Sequence, residues 1–337
     1  MKRASPILVT LALSGCGGVQ SAAGRDGTEG ALIGRLFDVF LWVTAAVYLF
    51  VLGYLIFATL RGRRHLREAA GIQGEPPRPA ERGWRTALIA FVGATALILA
   101  GLTIATWLTD RALARGEADP ALEIEVIGHQ WWWEVRYLDP VASRIVRTAN
   151  ELHLPAGRTT RIVLKSPDVI HSLWIPNLAG KQDLIPGRIA DLSLHPKRAG
   201  VYRAQCAEFC GAQHARMALD VRVEAPGDFA RWYEAQLAPP PIPAGGAALA
   251  GYNLFQSRQC ASCHAVAGTP ASGMVAPDLS HVAGRRSLAA GTLPMSRANL
   301  ARWVADPQAV KPGNNMPKVP LSEGELAAIT AYLETLK

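Results

Sequence analysis

The chain has five cysteines in 337 residues, Cys16, Cys206, Cys210, Cys260 and Cys263, and each falls in a recognisable chemical motif. None is left over for a structural disulfide, so the fold must be held by other means. A basic patch with interleaved aromatics is also missing. That argues against a nucleic-acid partner, although the formal net charge is +8. The charge is concentrated: between Arg61 and Arg85 stand seven arginines and His65 against Glu68, Glu75 and Glu81, whereas acids and bases nearly balance from Asp119 to Glu224. No internal repeat is visible, and the eight histidines are scattered. What the chain has in abundance is apolar surface. Hydrophobic residues make up 50% of it, which is high for a soluble protein and suits a membrane-attached one.

Two runs account for much of this. Leu36 to Leu60 is apolar apart from Asp38, and Thr86 to Leu108 is a second run. At ~1.5 Å rise per residue either exceeds a ~30 Å hydrocarbon core. Residues 16–118 therefore read as a transmembrane hairpin with spans at 36–60 and 86–108. The positive-inside rule places the Arg61–Arg85 loop in the cytoplasm and both ends outside. A pair of buried core helices would not flank such a loop. Trp42, Tyr48, Trp84 and Trp107 include candidates for interfacial anchors. Residues 1–15 have a basic start, a short apolar run from Ile7 to Leu13 and small residues after it, the pattern of an export signal. The ending Leu13-Ser14-Gly15-Cys16 resembles a bacterial lipobox, in which Cys16 would carry lipid. A plain signal peptide, or a short anchor with a buried Cys16, is the alternative.

From Ala121 the pattern switches to period two. Apolar and polar residues alternate over 123–127, 160–164, 190–194 and 217–223, with Gly and Pro between. This predicts an all-β sandwich or Greek-key barrel over 119–225. Residues 226–246, with Ala238-Pro239-Pro240-Pro241-Ile242-Pro243, read as a Pro/Gly linker. Helical spacing returns over 247–337, with amphipathic helices around Leu300–Val304 and from Glu323 to Leu336, the second with Ser322 as its N-cap.

Two constellations carry chemistry. The first is Cys206-Ala207-Glu208-Phe209-Cys210, then His214 and Met217, with His171 upstream. Soft sulfur with imidazole suits copper. Two thiolates four residues apart in a short loop can bridge a pair of metal ions, His171 and His214 can cap one each, and Met217 can serve as a weak axial ligand. A closed zinc site would more usually employ C-x2-C pairs, and a Cys206–Cys210 disulfide is the other alternative. The second is Cys260-Ala261-Ser262-Cys263-His264, the C-x-x-C-H signature of covalent c-type haem, with His264 placed as proximal ligand. A thioredoxin-like or zinc C-x-x-C is the competing reading. Met316, in Gly313-Asn314-Asn315-Met316-Pro317, is the candidate sixth ligand. A thioether opposite imidazole raises the reduction potential and closes the iron to other ligands. Met274 and Met295 compete for the role.

The segment from Asp168 through His171, Trp174 and Pro176, then Lys181 to Arg188, then the cysteine loop, resembles subunit II of the haem–copper cytochrome c oxidases. The likeness runs from about residue 30 to 225, and Gly313-Asn314-Asn315-Met316-Pro317 resembles the axial-ligand loop of class I cytochromes c. The resemblance implies a multidomain membrane protein: a two-helix hairpin, a cupredoxin domain holding the dinuclear copper centre CuA, and an all-α class I cytochrome c domain. In that family the backbone carbonyl at Glu208 ligates copper while its side chain points to Mg2+ shared with subunit I; a plain surface acid is the alternative. The tryptophan that receives electrons maps onto Trp131 of Gly128-His129-Gln130-Trp131-Trp132-Trp133, where core packing is the competing reading. A glutamate placed as Glu81 is marks the mouth of a proton channel, unless Glu81 only pairs with Arg78, Arg82 or Arg85. Asp183 and Arg188 would order loops facing subunit I.

The function so implied is the electron-relaying subunit of a proton-translocating cytochrome c oxidase in a bacterial inner membrane. Copper and haem c would lie on the periplasmic side. Subunit I and subunit III are the expected partners, and a cytochrome c or a quinol-oxidising cytochrome complex the donor. A nitrous oxide reductase-like CuA protein would need a multi-histidine copper cluster. A membrane-anchored copper and haem shuttle would lack an oxidase partner.

Overall fold

The computed structural model describes residues 17–69, 81–114 and 120–337, with the side chains of 63–69 and 81–82 outside that set. Cys16 and the export signal lie outside the described residues. Glu81 begins a helix, but its side chain is among those not described.

The apolar runs form two long helices, α1 (Thr28–Ala69) and α2 (Glu81–Ala114). Both extend beyond the apolar runs. At ~1.5 Å per residue the 42 residues of α1 measure about 63 Å, roughly twice a membrane core. Most of their apolar side chains are exposed among the described residues: Trp42 is 74% exposed and Leu97 76%. Phe50 and Phe91 meet with ring centroids 6.1 Å apart, so the helices pack on each other. These are the two spans of a two-span membrane protein. From Leu32 they form one compact unit, and the rest of the described chain forms another.

That second unit begins with a sandwich of two five-stranded sheets. One sheet runs β3 (Val146–Ala149), β2 (Trp132–Tyr137), β1 (Leu122–His129), β5 (Thr160–Lys165), β8 (Ala190–Leu194). The other runs β4 (Glu151–Pro155), β10 (Ala218–Glu224), β9 (Gly200–Cys206), β6 (His171–Trp174), β7 (Lys181–Leu184). β1 pairs with β5, and β4 with β10, in parallel; the other pairings are antiparallel. Inward residues such as Ile124, Val126, Val135, Leu152, Ile162, Leu173 and Leu219 are fully buried and fuse the sheets into one core. This is the cupredoxin-like sandwich, and the four alternating stretches match β1, β5, β8 and β10. β4 is buried along its whole length and so shows no alternation. Residues 17–31 also pack here. Thr28 N donates to His195 O and Gly30 N to Leu178 O, and a Cβ on Gly27 would lie 2.5 Å from Leu178 O.

Residues 226–237, read as linker from sequence, form a helix instead: α3 (Pro226–Leu237), with proline at its start where no amide partner is needed. It lays Trp232 on buried His153, with ring centroids 3.9 Å apart and planes 3° from parallel. Only 238–245 is extended.

The haem-type domain consists of α4 (Gly246–Ser257), α5 (Cys260–Cys263), α6 (Arg297–Ala305), α7 (Pro307–Val310) and α8 (Glu323–Leu333), with a hairpin of β11 (Ser287–Leu288) and β12 (Leu293–Pro294). Ser322 caps α8 as expected, in a reciprocal capping box with Glu325. α4 and α8 cross at Gly251, where a Cβ would lie 1.9 Å from Ala328 O. Phe255, Leu300, Ile329, Tyr332 and Leu333 form the core.

Candidate copper and haem centres

The sandwich brings the first ligand set together from two strand ends. His171 opens β6, Cys206 closes β9, and Cys210, His214 and Met217 follow in the loop before β10. Cys206 Sγ and Cys210 Sγ lie 3.8 Å apart. His171 Nδ1 is 3.9 Å from Cys206 Sγ; His214 Nδ1 is 3.6 Å and Met217 Sδ 3.8 Å from Cys210 Sγ. Ligand atoms of His171, Cys206 and Cys210 fall within 4.8 Å of one another, and all three residues are buried. The Glu208 carbonyl, 3.2 Å from Cys206 Sγ, also faces the cluster. The Glu208 carboxylate is turned away, 3.7 Å from Lys181 Nζ, which also pairs with Asp183.

Adjacent groups tune these ligands. His171 Nε2 donates to Asp168 Oδ1 at 2.8 Å, leaving Nδ1 aimed at sulfur. Burial opposes ionisation of Asp168, but hydrogen bonds from His171, Val169 N and Gln130 N outweigh it and hold its pKa at about 2. Burial likewise opposes charge on His171, and Asp168 and Cys206 outweigh it, raising its pKa. The two thiols share a proton, which drops the Cys206 thiol far below its ordinary range and lifts that of Cys210 far above it. Two such sulfurs ionise together only against concentrated positive charge, so the donor set fits a soft metal such as copper. Gly128 is required beside them: a Cβ there would sit 2.9 Å from the His171 ring.

The second ligand set surrounds a cavity of about 670 Å³. Cys260, Cys263, His264 and Met316 line it together with apolar Phe255, Leu279, Leu300, Ile329 and Leu333. His264 Nδ1 donates to Pro277 O at 2.7 Å, which fixes the tautomer with Nε2 free. Burial lowers the His264 pKa, keeping the ring neutral as a ligand must be. Buried Arg285 lines the same cavity. Its Nε has no hydrogen-bond partner among the described residues, only the Glu151 carboxylate at 3.7 Å. A flat apolar macrocycle with acidic edge groups fits this lining.

Trp131 joins the two sets. Its Nε1 donates to Cys210 O at 2.9 Å, and the residue lines the same cavity as Cys263 and Met316. The sequence left open whether Trp131 is a core residue. Trp133 is fully buried, whereas Trp131 and Trp132 are half-buried. Met274 is 60% exposed, as a surface residue would be. Sequence reasoning missed Lys311, Asp168 as a partner of His171, and Arg285. Only the burial of Arg285 and Lys311 marks them, and burial is not visible in sequence.

Fold and sites together define the class: two helices long and apolar enough to cross a membrane, a cupredoxin-like sandwich with a clustered Cys/His/Met loop, and a helical domain with a C-x-x-C-H motif beside an apolar cavity. A family model described as cytochrome c oxidase subunit II, periplasmic domain, matches residues 137–224, and one described as cytochrome c matches 248–337. Cytochrome c oxidase subunit 2 of Bacillus sp. (strain PS3) is 32% identical over 290 residues, covering 80% of each chain. The same subunit of Alkalihalophilus pseudofirmus is 29% identical over 340 residues, covering 98% of this chain and 95% of its own. Among solved structures, the periplasmic domain of subunit II of cytochrome oxidase (CoxB) of Bradyrhizobium japonicum is 28% identical with a TM-score of 0.33, covering 35% of this chain and 94% of its own. The chain belongs to the cytochrome c oxidase subunit 2 family and carries a cytochrome c domain at its C-terminal end. Those two domains imply CuA and haem c. Membership implies a subunit I partner and a membrane, and it places the enzymatic activity in the complex.

Proposed function

We propose that this chain relays electrons in a proton-translocating haem–copper oxidase, receiving them at its own haem domain and passing them to subunit I. His171, Cys206, Cys210, His214, Met217 and the Glu208 carbonyl would hold CuA. Cys260, Cys263, His264 and Met316 would hold haem c. Bound there, the two groups supply one-electron carriers for the route from an outside cytochrome c or quinol-oxidising cytochrome complex to the oxygen-reducing centre. The residues do the positioning. Asp168 and Pro277 fix the imidazoles of His171 and His264, Arg285 offers charge to an acidic haem edge, and Trp131 bridges the centres.

The observation that carries this reading is Trp131, its indole hydrogen-bonded to the Cys210 carbonyl while the residue lines the cavity of Cys260, Cys263 and His264. The same reading assigns the Glu208 carboxylate to Mg2+ shared with subunit I. It gives exposed Phe209, beside it, to the subunit I surface. Glu81 would collect protons at the cytoplasmic start of the second span, and subunit III would complete the assembly. Both redox domains would face the periplasm of a bacterial inner membrane, with Cys16 lipidated at the outer surface. Residues 1–15 would be the signal, 119–225 the copper domain and 247–337 the haem domain; within 16–118 the hairpin would start near Leu32, because residues 17–31 pack on the sandwich, and α3 shortens the linker between the last two domains.

Anaerobic spectroscopy of the purified complex tests the proposal. CuA and haem c bands together with haem a support it; a complex with haem c and no CuA band would refute it. Glu81→Gln should lower turnover, and unaltered turnover would remove the proton role.

A further inference from the structure

Lys311 is 2% exposed. Burying an ammonium is costly unless its protons are matched, and lysine is seldom fully buried without a partner. Here the partners are backbone carbonyls. Lys311 Nζ donates to Trp131 O at 2.6 Å, Arg216 O at 2.8 Å and Ala289 O at 3.1 Å. Three acceptors match the three protons of an ammonium. Burial pulls the pKa of the amine down to about 7.

The identity of the acceptors matters more than their number. Trp131 is the ring that touches the copper loop. Arg216 lies in that loop, between His214 and Met217. Ala289 belongs to the haem domain, as does Lys311 itself, five residues before Met316. Neighbouring bonds cross the same junction: Arg216 Nη1 to Val310 O at 2.8 Å, Gln213 Nε2 to Pro312 O at 2.6 Å, and Ala218 N to Ala290 O at 3.0 Å. Ala289 and Ala290 have φ of 52° and 57°, a left-handed conformation uncommon for residues with a Cβ. Such residues persist where their surroundings over-determine them. Here their carbonyls are held by Lys311 and by Ala218 across the junction.

We infer that Lys311 is a positioning residue that bolts the Met316 loop onto Trp131 and the copper loop, so that the haem domain works in one docked pose instead of swinging on its Pro-rich tether. The inference rests on the reading above, in which those two loops hold haem c and CuA. A tether alone raises effective concentration but leaves docking to repeated encounters. A bolt makes electron transfer a fixed-distance event.

The test uses the full chain in its purified complex. Lys311→Met keeps the length of the side chain and removes its donors. Amide exchange at Ala218 should rise about tenfold, the worth of roughly one charged hydrogen bond, while the amide of Glu334 inside the haem domain is unchanged. Haem c and CuA absorption should keep their wild-type intensity. Haem-to-copper transfer after flash reduction should slow and become dependent on solvent viscosity, which loss of stability alone would not produce. Unchanged exchange at Ala218 with an unchanged, viscosity-independent rate would overturn the inference. Should Lys311→Met fail to assemble, Ser287→Ala removes the bond from Ser287 to Asp220 across the same junction. It should raise Ala218 exchange in the same direction, and no rise would overturn the inference. Exchange reports docking whether or not copper is present, so absence of a CuA band in the wild-type complex would refute the functional reading and leave this result separate.

Discussion

The indole Nε1 of Trp131 donates a hydrogen bond to the carbonyl of Cys210 at 2.9 Å, tying a residue of the cavity lining to the thiolate loop. Trp131→Phe keeps an aromatic ring and removes that donor. The expected outcome is slower transfer from haem c to CuA with both absorption bands intact, read by flash reduction of the purified complex. An unchanged rate would take the indole out of the route.

Asp168 orients the copper-site histidine that lies outside the thiolate loop, through its 2.8 Å bond to His171 Nε2. Orienting partners of metal-bound histidines are typically worth about 10–100-fold in metal affinity. Asp168→Asn should therefore release copper to a competing chelator about 10–100-fold more readily, while haem c content stays constant. Equal retention of copper would show that Asp168 serves another purpose.

Gly251 tests the packing of the haem domain. A methyl there would meet Ala328 O at 1.9 Å, and this backbone oxygen cannot swing aside. Gly251→Ala should cost about 1–3 kcal/mol or more by overpacking. It should lower the melting temperature of the haem-monitored transition and leave the CuA-monitored one in place.

The buried cluster at α3 gives a pH signature. Burial alone would lower the His153 pKa, but hydrogen bonds and charge from Glu151 and Glu224 outweigh it and raise the value. A raised histidine pKa stabilises the fold fully below the unfolded value near ~6.5 and ceases to do so as pH climbs through the folded value. Burial would raise the Glu151 pKa, yet His153, Arg285 and Thr148 bring it down, so its contribution starts to fall below ~4.3. The stability difference between wild type and His153→Gln should be greatest between those limits and shrink above neutral pH. A flat difference in thermal melts from pH 5 to 8 would contradict the cluster.

Much of this was legible in the sequence because the chemistry is local. Cys260, Cys263 and His264 lie within five residues, and Cys206 to Met217 spans one loop, so spacing exposes the heart of each donor set, while the Glu208 carbonyl and Met316 come from the family resemblance and His171 lies outside the loop. Strands with one wet face, such as β10, announce themselves by alternation; β4, dry on both faces, does not. α3 was hidden by its neighbourhood, since the prolines that follow it draw the eye to a linker. The junction could not be read at all. Lys311 and Trp131 are 180 positions apart, and nothing in either segment says that one amine will cap the carbonyl of the other.

The central claim is that this one chain holds a thiolate-bridged copper pair and a covalent haem. Metal analysis of the purified full-length chain, with haem measured on the same sample, tests it most directly. The account predicts about two coppers for each covalently bound haem, from one dithiolate loop and one C-x-x-C-H motif. Zinc in the loop, or about one copper per haem, would contradict it.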